Sequence, residues 1–433
     1  MRISVIGCGY LGAVHASAMA ELGHDVVGID VDERKIADLS AARPPFFEPG
    51  LPEILRSATD SGRLRFSTDI ADAADAEVHF IAVGTPQAHG RDAADLTFVD
   101  AAFEALIPHL REGSLVVGKS TVPVGTAARL ADRLVEAAPH ASLAWNPEFL
   151  REGYAVKDTI EPDRLVYGVA DERAASVLDD VYRTAITAGT PRVVTDYATS
   201  ELVKVAANAF LATKISFINA MAEIAEVTGA DVTQLADALG HDARIGRRFL
   251  NAGVGFGGGC LPKDIRAFTA RAEELGLAES VAFLREVDAI NLRRRQRVVD
   301  LAHELLGGTV NQRRIAVLGV TFKPESDDVR DSPALDVAVQ LKGLGAHVVA
   351  TDPEGIENAR LRHPQLDYVD DTTEALRGAE LVVLVTEWRE YRNLDPAATA
   401  ELVDAPVLID GRNVLDAAAW RAAGWRYHGL GRP

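Results

Sequence analysis

Short apolar runs alternate with segments of helical spacing at the start of the chain. Residues 2–6 (RISVI) form an apolar run typical of a buried parallel strand, and helical spacing follows to about Gly23. Residues 24–30 (HDVVGID) predict a second strand that ends in an acid. Similar apolar runs begin at residues 79, 115 and 142, so the pattern predicts an α/β domain with a parallel sheet.

The pattern changes in the middle of the chain and then returns. Residues 197–227 follow a long helical pattern that is apolar nearly all round, which predicts a buried helix, and helices continue to about residue 302. Strand–helix alternation restarts at residue 315, with a helix over 333–345 and strands over 347–351, 381–385 and 407–410. We therefore predict an α/β fold of two Rossmann-like doubly wound parallel-sheet domains, joined by a central helical domain with a long helix. The predicted boundaries are 1–196, 197–310 and 311–433.

Composition narrows the function classes. The 433 residues are 48% hydrophobic and 25% charged, which is ordinary for a soluble globular protein. The formal net charge of −19 argues against nucleic-acid or anionic-membrane partners, which require a basic surface. Cys8 and Cys260, the two cysteines, are too few for a disulfide framework and lack zinc spacing. We expect no metal site, a cytoplasmic location and no membrane-spanning segment.

The first predicted strand leads into a glycine turn. Gly7, Gly9 and Gly12 form GxGxxG between a strand and a helix, and Asp30 ends the next strand. In that context the glycines permit a tight turn, close approach of a pyrophosphate and close helix–strand packing, while the acid binds the adenosine ribose. The pattern predicts NAD binding, and Asp30 would repel the additional phosphate of NADP.

Polar residues follow three later strands. Thr85, Thr121 and Glu148 come directly after the apolar runs that begin at 79, 115 and 142. Each could serve only as a cap or turn residue. Because ligands of open parallel sheets lie beyond the carboxyl ends of the strands, we expect the three residues to border one crevice.

Residues 249–264 (FLNAGVGFGGGCLPKD) contain five glycines followed by Cys260, Lys263 and Asp264. Such glycine density is tolerated where the backbone turns sharply or approaches a ligand. Pro262 and the apolar spacing after it predict a helix start. The helix dipole and Lys263 would both favour the thiolate form of Cys260, although a small buried cysteine is the alternative.

Lys204 and Asn208 share one face of the predicted long helix because they are four residues apart. A lysine on such an apolar helix requires a partner or a function, although its side chain could also extend to a domain edge.

Taken together, these stretches resemble nucleotide-sugar dehydrogenases of the UDP-glucose/GDP-mannose dehydrogenase family. The resemblance covers nearly the whole chain, in family order, through VIGCGYLG, VGTPQ, STVPVGT, NPEFLREG, ELVKVAANAFLATKISFINA, DARIGRRFLNAGVGFGGGCLPKD, LGVTFKPESDDVRDSPALD and IDGRN. One departure is Gly259, where relatives often carry a larger residue. The resemblance implies that UDP-glucose is oxidised to UDP-glucuronate with two NAD, through a thiohemiacetal and a thioester on Cys260.

The resemblance also implies roles for individual residues. The implied catalytic residues are Cys260, Lys204, Asp264, Asn208, Thr121 and Glu148, and the general base stays open between Glu148, Asp264 and Lys204. The implied cofactor contacts are Gly7, Gly9, Tyr10, Leu11, Gly12, Asp30, Lys35, Thr85, Thr121, Glu152, Lys263 and Arg330. The implied substrate contacts are Glu148, Phe149, Leu150, Arg151, Glu152, Lys204, Asn208, Arg244, Phe249, Leu250, Asn251, Ala252, Gly253, Gly257, Lys323 and Arg412. Glycines within residues 253–259 would let backbone amides close on the sugar and its diphosphate. Arg244 would act across the interface of a homodimer or higher homo-oligomer.

Three alternatives stay open. A sibling enzyme could act on another nucleotide sugar such as GDP-mannose, although DARIG before the cysteine loop resembles the UDP-glucose branch. A hydroxyacid-type dehydrogenase would perform one two-electron step and would need no cysteine. A non-catalytic nucleotide-binding protein could keep the fold, but its loss of function would be expected to remove Cys260, Lys204 or Asp264, and all three are present.

Overall fold

Residues 1–207 and 270–276 form one unit of the fold, and residues 208–269 and 277–433 form a second. The computed structural model describes all 433 residues. We refer to the two as the N-terminal and C-terminal units and describe each by itself. The division into three domains stays a prediction.

The N-terminal unit is built on an eight-stranded sheet with the order β3-β2-β1-β4-β5-β6-β7-β8. The strands are β1 Arg2–Ile6, β2 Asp25–Ile29, β3 Leu64–Ser67, β4 Val78–Ile81, β5 Leu115–Gly118, β6 Ser142–Trp145, β7 Leu165–Val169 and β8 Arg192–Thr195. All neighbours are parallel except β6 and β7, which are antiparallel, so the predicted parallel sheet is mixed at this junction. Val116 and Val117 pack into different apolar cores because successive side chains of a strand point to opposite faces.

Helices cover both faces of this sheet. They are α1 Tyr10–Glu21, α2 Glu33–Ser40, α3 Leu51–Asp60, α4 Thr97–Leu106, α5 Thr126–Ala137, α6 Ala155–Ile160, α7 Glu172–Val181 and α8 Arg183–Thr187, with short 3₁₀ helices at Ile70–Asp75 and Ile107–His109. Helix α1 is buried over most of its length and packs against α3 and α6.

The C-terminal unit contains a six-stranded parallel sheet with the order β11-β10-β9-β12-β13-β14. Its strands are β9 Arg314–Leu318, β10 His347–Thr351, β11 Asp367–Tyr368, β12 Leu381–Leu384, β13 Val407–Asp410 and β14 Arg426–Gly429. The predicted fold class, two Rossmann-like sheets with helices between them in sequence, is confirmed.

The remaining helices complete this unit, except that α9 begins and α11 ends in the N-terminal unit. They are α9 Tyr197–Thr228, α10 Val232–Gly240, α11 Leu261–Glu274, α12 Phe283–Leu305, α13 Pro333–Gly343, α14 Ile356–Arg362, α15 Thr372–Leu376, α16 Arg389–Arg392, α17 Pro396–Ala400 and α18 Ala417–Ala422, with a 3₁₀ helix at Ala278–Val281.

Helix α9 differs from the prediction of a helix buried all round. One face is buried, including Ala212, Ile218 and Ala222, whereas Phe210 and Phe217 on another face are 66% and 48% exposed. A helix that is apolar on every side is buried only where other parts of the same chain pack against it. Its second apolar face therefore lies on the surface of the isolated chain.

Helix α9 also corrects the expectation that no segment could cross a membrane. By length and composition, its most apolar window of 18 residues is apolar enough to do so. However, 44% of that window is buried inside the protein. Core helices of soluble proteins meet the same criterion, so this feature is weak evidence for a membrane span.

Candidate functional site

The glycine turn of the N-terminal unit has the geometry that the fingerprint predicts. Gly7 has a φ of +90°, and its N–H donates to the carbonyl of Ile29 at 2.8 Å. A Cβ atom on Gly12 would lie 1.7 Å from the carbonyl oxygen of Gly7, so only glycine fits. A Cβ atom on Gly9 would meet no atom within 4 Å. The turn therefore leaves open space at the start of α1, where helix N–H groups favour an anion.

Asp30 organises the same turn. Its carboxylate accepts hydrogen bonds from the N–H groups of Cys8 at 2.8 Å and Asp32 at 3.0 Å, and it pairs with the Lys35 ammonium at 2.7 Å. A carboxylate has about four acceptor positions, so it retains capacity for a ribose hydroxyl. These residues fit NAD, and Tyr10 and Leu11 follow the turn as the first residues of α1.

Hydrogen bonds join the loops that follow β4 and β5. The Thr85 hydroxyl donates to the carbonyl of Thr121 at 2.8 Å. The Ser120 hydroxyl donates to the carbonyl of Val83 at 2.7 Å. Thr85 and Thr121 therefore lie together at the carboxyl edge of the sheet.

Glu148, the third residue predicted for this edge, is held inside the unit. One carboxylate oxygen accepts from the N–H groups of Phe149 at 2.7 Å and Leu150 at 3.1 Å. The other oxygen pairs with the Lys119 ammonium at 2.9 Å. A residue expected to contact substrate is thus also a structural anchor of its own loop.

Lys119 is a functional candidate that sequence reasoning missed. Its side chain is 3% exposed, and it also donates to Asn146 at 3.1 Å and to the Tyr182 hydroxyl at 3.2 Å. A buried ammonium requires an ion-pair partner and hydrogen bonds, and Glu148, Asn146 and Tyr182 supply them here. The available signal was a lysine at the end of an apolar strand, directly before the STVPVGT motif.

The loop after Glu148 is fixed by charged side chains. The Phe149 ring lies under the Arg164 guanidinium at 3.9 Å and under the Lys204 ammonium at 5.5 Å. Arg151 forms a bidentate pair with Asp158, at 2.8 and 2.6 Å. Lys204 is half-buried, less buried than its helix pattern suggested, and Glu152 is 9% exposed.

In the C-terminal unit, polar groups surround the start of the cysteine helix. Cys260 is exposed and immediately precedes α11, as predicted. Asp264, in the first turn, accepts from the Asn208 amide at 2.6 Å and from the Lys263 ammonium at 2.6 Å, and it is 3% exposed. The structure thus joins Asn208, Asp264 and Lys263, and the Lys263 charge is shared with Asp264 rather than directed at the thiol alone.

The glycine run before Cys260 corrects one expectation. We expected its amides to close on a ligand, but several are used by the protein. The N–H groups of Gly253 and Phe256 donate to Asn219 at 2.9 Å and to Asn291 at 2.7 Å. The N–H of Gly258 donates to the carbonyl of Arg330 at 2.9 Å. A buried loop must satisfy its own amides, and here it does so internally.

This loop borders a cavity of about 470 Å³ within the C-terminal unit. Phe249, at its rim, adopts a φ of +65°, a strained conformation for an aromatic residue and one found mainly at functional sites. Sequence reasoning missed the lining residues Phe322, Arg247 and Glu387. The predicted substrate residues that line the cavity are Phe249, Leu250, Asn251, Ala252, Gly253, Gly257, Lys323 and Arg412.

The predicted arginines have different environments. Arg412 donates to the carbonyls of Val385, Gly255 and Phe322 at 2.7, 2.8 and 3.1 Å, so it joins three loops at the cavity wall. Arg330 pairs with Asp328 at 2.8 Å, and its guanidinium fills the space beside Gly259. Arg244 is 89% exposed and pairs with Asp242 at 2.6 Å. No group of three His, Cys, Asp or Glu side chains is arranged to hold a metal ion.

Comparison with known proteins covers the whole chain. Three sequence profiles of the UDP-glucose/GDP-mannose dehydrogenase family match it: the NAD binding domain at residues 1–186, the central domain at 198–293 and the UDP binding domain at 316–417. The chain belongs to the UDP-glucose/GDP-mannose dehydrogenase family. It is therefore an NAD-dependent dehydrogenase, as the sequence predicted.

Individual relatives within the family agree. The chain is 43% identical to a UDP-glucose 6-dehydrogenase of Rhizobium meliloti (strain 1021), with 100% of both chains covered. It is 41% identical to a UDP-glucose 6-dehydrogenase of Bacillus subtilis (strain 168), covering 100% of this chain and 93% of that protein. The solved UDP-glucose dehydrogenase of Pyrobaculum islandicum superposes with a TM-score of 0.91 at 42% identity, covering 100% and 98% of the two chains.

Proposed function

We propose that the protein oxidises the primary alcohol of UDP-glucose to the carboxylate of UDP-glucuronate, with two NAD reduced and Cys260 as the covalent nucleophile. The UDP binding domain profile and relatives named for UDP-glucose support this substrate over GDP-mannose. The exposed Cys260 at the start of α11, beside the buried Asn208–Asp264 pair, is the observation that carries the proposal.

The first half of the reaction converts the alcohol to an aldehyde. NAD supplies the hydride acceptor in both oxidations. The hydroxyl proton of the alcohol passes to a bound water held by Lys204, and carbon 6 loses a hydride. Lys204 and Asn208 stabilise the developing oxyanion, and one such donor contributes about 3 kcal/mol.

The second half uses the cysteine. The Cys260 thiolate adds to the aldehyde carbon and forms a thiohemiacetal, whose carbon then loses the second hydride and whose hydroxyl loses its proton. The product is a thioester, and water cleaves its C–S bond to release the carboxylate and the thiol. Covalent catalysis of this kind divides one difficult oxidation into easier steps.

Water attack on the thioester requires a general base. Glu148, Asp264 and Lys204 stay candidates for this role, and Thr121 and Asp264 would hold the water. Glu148 is anchored by Lys119, and Asp264 by Asn208 and Lys263, so both carboxylates are hydrogen-bond acceptors of fixed orientation. Residues 148–152 and the cavity of the C-terminal unit would bind the nucleotide sugar.

The assembly is part of the proposal. The exposed apolar face of α9, with Phe210, Phe217 and Ile224 spaced seven residues apart, supports a homodimer that pairs along this helix. Arg244 would reach the partner's substrate, and the cytoplasm is the proposed compartment.

The deciding experiment is the number of NADH molecules formed per UDP-glucose consumed at completion. Two NADH per substrate, with the acid as product, is the expected result, whereas one NADH would limit the enzyme to the aldehyde and remove the covalent role of Cys260. Cys260→Ser is expected to stop at the aldehyde or at an adduct. Acid formation by that variant at the normal yield would overturn the nucleophile assignment. Turnover of GDP-mannose alone would move the enzyme to the sibling branch.

A further inference from the structure

A buried carboxylate outside the motifs connects two loops of the N-terminal unit. Glu48 lies in the segment before α3 and is 2% exposed. Its two oxygens accept from the N–H groups of Gly153 at 2.6 Å and Ala155 at 2.7 Å. The same carboxylate accepts a short hydrogen bond from the Tyr10 hydroxyl. One side chain therefore touches both the end of the 148–153 loop and the first residue of α1.

The Tyr10 hydroxyl serves as a permanent donor in this contact. Burial, and then the hydrogen bond to Glu48, raise the pKa of the Tyr10 phenol far above its ordinary value. The ring also packs on Phe46 with centroids 4.7 Å apart, so segment 46–48 holds both ends of the tyrosine. Tyr10 directly follows Gly9, the residue above which the turn is open.

The ion pairs of the 148–158 segment have no partner in the glycine turn, although α6 packs against α1 farther along the helix. Lys119 anchors Glu148, and Asp158 anchors Arg151. Gly153, which directly follows Glu152, has a φ of +77°, and its N–H is held by the hydrogen bond to Glu48. Glu48 thus joins this segment to the start of α1 through its carboxylate, beside a longer direct contact in which the Gly153 N–H donates to the Tyr10 hydroxyl at 3.3 Å.

We infer that Glu48 is a positioning residue that couples the binding of NAD to the binding of the nucleotide sugar. A dinucleotide at the start of α1 restrains Tyr10, Tyr10 restrains Glu48, and Glu48 fixes Gly153 and Ala155 at the end of the 148–153 loop. The coupling is reciprocal, so each ligand strengthens the binding of the other by the same factor. The inference rests on the proposed use of that loop for UDP-glucose.

The test measures the Kd of UDP-glucose without NADH and at saturating NADH, a pair that cannot react. The ratio of the two Kd values is the coupling factor, and we expect at least about fivefold in the unaltered enzyme. Tyr10→Phe removes the link to α1 but keeps the hydrogen bonds of Glu48 to the two amides, so the ratio is expected to approach one with little change in Tm. Glu48→Gln presents an amide group where two N–H donors require acceptors, so the ratio is expected to approach one and Tm to fall.

A matched control lies in the C-terminal unit. Asp410 is also a buried carboxylate that accepts from a tyrosine, Tyr427 at 2.8 Å, and from an amide, Leu415 at 2.8 Å. Asp410→Asn is expected to lower Tm while leaving the coupling factor and the Kd of NADH unchanged. A coupling factor that stayed normal in both Tyr10→Phe and Glu48→Gln would reduce Glu48 to a structural residue.

The outcomes separate this inference from the proposed function. An unaltered enzyme that bound UDP-glucose with a ratio of one would overturn the coupling and leave the proposed substrate intact. An unaltered enzyme that did not bind UDP-glucose would overturn the proposed substrate itself. A double variant whose ratio equals that of each single variant is the expected non-additive result for one connected path.

Discussion

The two sheets begin with the same local structure and use it differently. In both units the first strand is followed by a glycine of positive φ, Gly7 or Gly319. The N–H of this glycine donates at 2.8 Å to the carbonyl of the last residue of the second strand. In both units an acid follows that strand and accepts from the next N–H along, Cys8 to Asp30 at 2.8 Å and Val320 to Asp352 at 2.7 Å.

The acids differ in what else they bind. Asp30 adds the Asp32 N–H and Lys35, which leaves acceptor capacity at the edge of the unit. Asp352 also accepts from the Thr321 hydroxyl at 3.1 Å, from the Trp388 indole at 3.1 Å and from three further amides, and it is 3% exposed. The same turn is therefore open to a ligand in one unit and closed by its own chain in the other. Fold repetition does not repeat the site.

The largest effect that we expect is a loss of stability in the C-terminal unit when Asp352 is replaced. Asp352→Ala would leave buried donors of Val320, Thr321 and Trp388 without an acceptor, so we expect the free energy of unfolding of that unit to fall by about 4 kcal/mol. Hydrogen–deuterium exchange of peptides from β9 and β10 would measure the loss, and peptides from β1 and β2 serve as the internal control. Normal protection in β9 would contradict the role of Asp352 as the centre of this turn.

The second prediction is that acid lowers the stability of the N-terminal unit more than that of the C-terminal unit. His15, His24 and His79 are buried in the N-terminal unit, and burial lowers the pKa of each, that of His79 to about 4. Because the unfolded chain binds protons more readily, the stabilisation is complete above the ordinary pKa of 6.5 and is lost as pH falls toward 4. For His79 the loss is at most about 3 kcal/mol.

The matched measurement follows exchange in both sheets between pH 7.5 and pH 4.5. Burial also lowers the pKa of His428 in the C-terminal unit, but that side chain is only half-buried and should contribute less. His79→Gln, which can still bond Ser4 and Ser114, is expected to weaken the pH dependence of β1 and β4. An unchanged pH dependence in that variant would assign the acid sensitivity to other groups.

Replacing Asp30 should affect ligand binding more than stability, whereas replacing Asp352 should affect stability. Asp30→Ala is expected to raise the Kd of NAD about tenfold and to reduce the preference over NADP, since the ribose acceptor and its negative charge are both lost. The free energy of unfolding of the N-terminal unit should fall by only about 1 kcal/mol, since fewer donors lose their acceptor than in Asp352→Ala. Titration with each dinucleotide measures the effect. An unchanged Kd of NAD would show that Asp30 is as closed as Asp352.

These contrasts show which features the sequence could predict. Gly7, Gly12 and Asp30 were predicted because their constraints are local, within one strand–turn–helix–strand segment. Most inner strands and α9 were predicted because apolar periodicity is local as well, although the inner strand β7 was missed. The short edge strands β3 and β8 escaped prediction because four residues, as in LRFS and RVVT, are too few to show a period.

The missed site residues depend on distant partners. Glu48 bonds an amide 105 residues away, and no local pattern predicts such a pair. Lys119 was visible in the sequence, but its importance depends on the position of Glu148. The glycine run was predicted to bind a ligand through its amides, yet Asn219 and Asn291 accept two of them. These outcomes required the tertiary structure because each is a question of which groups remain unsatisfied after folding.

The smallest expected effect is on the KM for NAD when the residue beside Arg330 is changed. The first turn of the C-terminal sheet is closed, so Arg330 is the residue through which this unit would contribute to NAD binding. A Cβ atom on Gly259 would lie 2.3 Å from the Arg330 guanidinium carbon, but the end of a flexible side chain can move. Gly259→Ser should therefore raise the KM for NAD by only about twofold to threefold, with kcat unchanged and a stability loss below about 1 kcal/mol.

Gly258→Ser is the matched contrast, because Gly258 has a φ of +84° and its Cβ would lie 2.8 Å from the Phe322 ring. That variant should cost more stability, since both backbone strain and a rigid ring oppose the new side chain. Equal and negligible effects of the two substitutions on KM and Tm would remove Arg330 from the cofactor contacts and leave NAD binding to the open turn of the N-terminal unit.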